Sequence, residues 1–115
     1  MDRGDLDGAE TILKAMQAEG PPNAHVLYNL ALIADKRNKY NDARNGYLAT
    51  LKLDPTYKEA RYNLALLTYR RGVLEEAKNH ARKYAEMAPN DPSAAALTRM
   101  VSGGAAPAAT PPQAP

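Results

Sequence analysis

The string Tyr-Asn-Leu-Ala-Leu occurs twice, at Tyr28 to Leu32 and at Tyr62 to Leu66, and the two copies lie 34 residues apart. At the same offset Ala43 meets Ala77, Tyr40 meets Leu74 and Pro55 meets Pro89, and one more step backward lands on Leu6, Ala9 and Pro21. A fixed period of this kind constrains the fold more than any composition does. Each unit is a supersecondary element too small to bury its own apolar face, so it must stack on its neighbours.

Within each period a helical pattern of apolar residues stops at a turn, restarts and stops again at Pro. The pattern predicts helices near Asp5 to Ala18, Ala24 to Lys36, Tyr40 to Leu53, Tyr57 to Arg70, Leu74 to Met87 and Pro92 to Met100. Asn38 and Gly72 fall in the turns between paired helices, where a residue tolerant of left-handed backbone is needed. Asp91 before Pro92 reads as an N-cap followed by Pro at the first helical position. The expected class is all-α, an α-solenoid of antiparallel helical hairpins.

The expected organisation is an incomplete leading unit over 1–22, contributing only its second helix, full repeats over 23–56 and 57–90, and a capping helix over 91–101. From 102 to 115 the chain has neither charge nor a large apolar side chain, so it should be a flexible tail rich in Ala, Pro and Gly.

Composition removes several function classes. With 44% apolar residues, 24% charged residues and no Cys, the chain reads as globular, without disulfides or thiolate metal sites. No run approaches the roughly 18 apolar residues that span a bilayer, and the acidic start is unlike a signal peptide, so no membrane insertion is expected and the compartment defaults to cytoplasmic. The net charge is only +2, with basic and acidic residues interspersed as on a solvated surface. His25 and His80 are expected at the surface, and Glu75 and Glu76 open a helix, where they meet the positive end of its dipole. Neither HExxH, a phosphate loop nor a nucleophile elbow is present, so no catalytic residue, metal, cofactor or small-molecule substrate is assigned.

These features are similar to the tetratricopeptide repeat, a protein-interaction module. The residues that carry the resemblance are Leu27, Leu30, Ala31, Ala34, Ala43, Tyr47 and Pro55 in one unit and Arg61, Leu64, Ala65, Thr68, Ala77, Ala81 and Pro89 in the next. Leu27 and Arg61 stand where the family has Trp, Ala34 and Thr68 where it has Tyr, and Ala81 where it has an aromatic residue. The small residues Ala31, Ala43, Ala65 and Ala77 let paired helices approach to roughly 8–9 Å.

The resemblance implies a right-handed superhelix whose first helices line a concave groove that binds a peptide or partner-protein segment. It assigns Tyr28, Asn29, Leu32 and Lys36 to that groove in one repeat, and Glu59, Tyr62, Asn63, Leu66, Tyr69 and Arg70 in the next. Tyr and Leu would bury a partner's apolar side chains while Asn29 and Asn63 hydrogen-bond its backbone. The other reading packs the tyrosines along the seam between helices. Tyr28 and Leu32 stand where a carboxylate-binding subclass has Lys and Asn, and Glu59 replaces a cation, so that mode is not expected.

Two alternatives accompany the adaptor. The leading helix presents Leu6, Ile12, Leu13 and Met16, some of which the absent first helix of its hairpin would normally cover, so the chain could be part of a longer repeat array or homo-oligomerise through that helix. Helical repeats can also read RNA, and from Lys58 to Asp91 seven basic residues face five acidic ones. Nucleic acid remains the weaker expectation.

Overall fold

The computed structural model describes residues 3–103, with side chains from Leu6 onward. The described residues form six helices: α1 (Arg3–Glu19), α2 (Ala24–Lys36), α3 (Tyr40–Leu53), α4 (Lys58–Arg71), α5 (Leu74–Met87) and α6 (Pro92–Val101). All begin and end within two residues of the limits read from the sequence. The tail reading falls, apart from Ser102 and Gly103, outside the described residues.

The stops have local causes. Asn38, at φ 60°, is the described non-glycine residue with positive φ and turns the chain between α2 and α3. Gly72, at φ 88°, is the left-handed C-cap of α4. Asn23 caps α2 by accepting from the Val26 amide at 3.1 Å. Asp91 caps α6 by accepting from the Ser93 amide at 2.9 Å, with Pro92 in the first turn.

The chain divides into two compact units, one running to Pro55 and the other starting at Thr56. In the first, α2 and α3 form a hairpin and α1 packs against α2. Tyr47 is fully buried, its ring centroid is 6.0 Å from that of Tyr28, and its hydroxyl donates to Asp35 at 2.9 Å. Arg37, just past α2, ties α1 down by donating to Glu10 at 2.6 Å and by pairing with Asp7. That contact with Arg37, followed by Lys14, holds the Glu10 carboxyl below its ordinary pKa.

The α2–α3 approach is tightest at Gly46. A Cβ there would lie 2.7 Å from the Ala31 Cβ and 3.1 Å from its Cα, so no flexible side-chain end could give way. Gly46→Ala sets two effects against each other. Helix propensity favours Ala by roughly 0.5–1 kcal/mol, whereas overpacking a close contact costs about 1–3 kcal/mol. We expect overpacking to win, leaving a net loss near 1 kcal/mol in urea unfolding. A variant as stable as the wild type would mean that the helices separate freely.

In the second unit α5 packs against both α4 and α6, and α4 also touches α6. One buried cluster joins Tyr62 and Ala65 of α4, Ala77, Ala81 and Tyr84 of α5, and Ala94, Leu97, Met100 and Val101 of α6. The Tyr62 and Tyr84 rings lie 5.2 Å apart, and the Tyr84 hydroxyl donates to the Asp91 carboxylate at 2.7 Å. One side chain therefore fills the centre of this unit and holds the residue that caps α6.

Candidate functional site

The groove residues read from the sequence separate into buried and accessible sets. Tyr28 and Tyr62 are buried, in keeping with the seam-packing reading, and Asn63 is only 8% exposed. Their burial has a cause in each unit: Tyr28 sits against Tyr47, and Tyr62 sits against Tyr84 within the cluster that α6 helps to form. Leu66 and Tyr69 are half-buried at the edge of that cluster, Glu59 is half-buried and Arg70 is exposed. Asn29 is half-buried, and its amide donates to the His25 carbonyl at 2.9 Å within its own helix, which commits part of the hydrogen-bonding capacity assigned to a ligand.

The other residues of the α2 face converge with α1. Asn29, Leu32 and Lys36, at i, i+3 and i+7, form one side of a cleft of about 310 Å³ in the first unit. Leu6, Ala9, Ile12 and Leu13 of α1 form its other side, with Ile33 between them. Leu6 is buried and Leu13 half-buried, while Ile12 and Met16 are 63% and 52% exposed. Two groups assigned separately from the sequence, the α2 contact residues and the apolar stripe of α1, thus largely share one cleft. Its volume lies at the low end of the roughly 300–1,000 Å³ of ligand pockets, which suits a few anchoring side chains rather than an enclosed small molecule.

Sequence reasoning missed two polar arrangements. The Arg37 strap joins residues 27 and 30 positions apart, and no local pattern announces such a pair. His80, expected at the surface, is buried instead. Its Nε2 lies 3.0 Å from Glu76 Oε2, one turn earlier in α5, and its Nδ1 lies 3.0 Å from an Arg61 guanidinium nitrogen. Flanking by an acceptor on one side and a donor on the other lets the ring be buried as a neutral tautomer. Arg61 is partly desolvated, which lowers its pKa, and its Nε has no hydrogen-bond partner. The i, i+4 spacing of Glu76 and His80 was the available signal.

Among the described residues, no three acidic or histidine side chains gather as a metal site, and no helix is long and apolar enough to cross a membrane. No family model matches the chain. A curated TPR repeat-containing protein of Pseudomonas aeruginosa is 31% identical to it over 96 residues, which is 83% of this chain and 16% of that protein. The chain therefore spans 16% of the length of the relative it matches. The repeat period, the paired helices and this relative agree: the chain belongs to the tetratricopeptide-like family of helical repeats.

Proposed function

We propose that the chain is a non-catalytic protein-interaction module in which each unit offers the accessible face of its own first helix, α2 in one and α4 in the other, to a segment of a partner protein. The observation that carries this reading is the α2 face itself. Asn29, Leu32 and Lys36 place a polar group, an apolar side chain and a cation along one side of an apolar cleft. Such an arrangement anchors apolar side chains and orients what surrounds them. On α4 the corresponding contacts are Leu66, Tyr69 and Arg70, with Glu59 near the helix start. Tyr28, Tyr62 and Asn63 contribute by packing, so replacing them would test folding rather than contact.

The test is affinity capture with the wild type beside a Leu32→Ala, Lys36→Ala, Tyr69→Ala variant. We expect the variant to keep its helical circular dichroism and to lose a partner that the wild type retains. Equal capture by both proteins would overturn the assignment of these faces. Capture that falls steeply with added salt and disappears after nuclease treatment would favour RNA instead.

The exposed Ile12 and Met16 favour a second reading, self-association through α1. It predicts a mass that rises with concentration in sedimentation and is restored to that of a monomer by Ile12→Glu.

A further inference from the structure

The second unit contains a counterpart of the α1–α2 cleft, and there it is covered. Two periods, 68 residues, separate Ala9, Leu13, Asn29, Leu32 and Ile33 from Ala77, Ala81, Leu97, Met100 and Val101. The first five line the cleft. The second five belong to the buried cluster of α5 and α6, and the helix that buries them is α4, through Tyr62 and Ala65 with Leu66 and Tyr69 alongside. The repeat therefore specifies what fits on such a pair of helices: one amphipathic helix with large side chains at i, i+4 and i+7 and a small one at i+3.

Orientation follows from the same unit. The turns from α4 to α5, over 72–73, and from α5 to α6, over 88–91, are short, so each of these packed pairs is antiparallel. Helices α4 and α6 thus start at the same end and run in the same direction. A helix lying on α1 and α2 in this way brings its last turn to the end of α2, beside Lys36, the charged residue of the cleft lining.

We propose that the α1–α2 cleft is the docking site of an amphipathic helix from a partner protein, carrying that pattern of large and small side chains and a carboxylate in its last turn opposite Lys36. The proposal rests on the reading that the α2 face takes a partner, and it names the occupant. A second copy of this chain fits less well for two reasons. The helix that carries the pattern, α4, keeps Tyr62 buried in its own unit. The last turn of α4 also carries Arg70 and Arg71, which would meet Lys36 with like charge.

The probes are two peptides of the Lys58–Arg71 sequence, one unchanged and one with Arg70→Glu and Arg71→Glu. Both are held helical by a cross-link on the face away from Tyr62, because a 14-residue helix is marginal on its own. Calorimetry uses the whole chain. The acidic peptide should bind about threefold or more tightly than the unchanged one, and Lys36→Glu should reverse that preference. Ile12→Glu, at a position 63% exposed and so without consequence for folding, should weaken the acidic peptide about tenfold or more.

Absence of saturable binding, a preference that survives Lys36→Glu, or binding indifferent to Ile12→Glu would each overturn the proposal. So would a sedimenting dimer dissolved by Ile12→Glu, which gives the cleft to a second copy. Protection of the Ile12 methyls in the full natural polypeptide without peptide would give it to another segment of the same chain and would likewise overturn it. If the peptides fail while capture of a partner still depends on Leu32, Lys36 and Tyr69, the helix is wrong and the interaction module stands. If that capture fails too, the broader reading fails with it.

Discussion

Tyr47→Ala is expected to destabilise the chain by about 3–5 kcal/mol, the range for removing a large buried aromatic side chain. The ring has no exposed surface and packs against Tyr28, so alanine would leave a cavity between α2 and α3 rather than a surface dent. Two further contacts make this site costly to collapse. Gly46, one residue earlier, already brings α3 against Ala31, so the helices cannot move closer there. The Tyr47 hydroxyl also donates to the half-buried Asp35 carboxylate, which loses that donor. Against a typical total of about 5–15 kcal/mol for a domain of this size, the loss is roughly a fifth or more of all stability. Tyr47→Phe keeps the ring and should cost about 1–2 kcal/mol. Urea unfolding followed by circular dichroism checks both, and an alanine variant within about 1 kcal/mol of the phenylalanine one would show that the ring is not the anchor of this hairpin.

The helices were legible because residues with a local reason to end or begin a helix mark their limits, as at Asn38, Gly72 and Asp91. The faces of the first helices were harder to read. Helix α4 is apolar on two opposite faces, with Ala60, Leu64 and Leu67 buried on one side and Tyr62 buried on the other, so 3.6-residue periodicity cannot choose a contact face. Packing by α5 and the short α6 decided the matter, since it draws Tyr62 into a core and leaves Leu66 and Tyr69 at its edge. Helix α2 kept Asn29, Leu32 and Lys36 accessible beside α1. His80 departed from its surface expectation because Glu76 and Arg61 flank both ring nitrogens, and the Arg61 contact comes from a different helix. Arg37 likewise became structural only through α1. Local geometry was readable, whereas contacts that depend on which helix covers which were not.

That dependence makes Tyr84 the corresponding test in the second unit. Tyr84→Ala should cost about 3–5 kcal/mol, because it removes the ring against Tyr62 and opens the cluster shared by α4, α5 and α6. Tyr84→Phe separates the ring from the hydroxyl and should act through pH. The hydrogen bond from Tyr84, followed by the Ser93 backbone, holds the Asp91 carboxyl below its ordinary pKa of 3.8. A depressed folded-state pKa gives stability that is present above the unfolded value and lost as pH falls through the folded one. The wild type should therefore lead Tyr84→Phe at pH 6, and the lead should shrink as the pH is lowered below about 4. At the other extreme, burial and then the Asp91 hydrogen bond push the Tyr84 phenol well above its ordinary value of 10. The raised group keeps its contribution below that value and loses it as pH rises further, when the unfolded chain ionises before the folded one. The phenylalanine variant should lack that alkaline loss. Melting curves of the two proteins across the pH range decide the case: a wild-type lead that stays constant from pH 3 to 11 would mean that the Tyr84 hydroxyl does not hold the cap of α6.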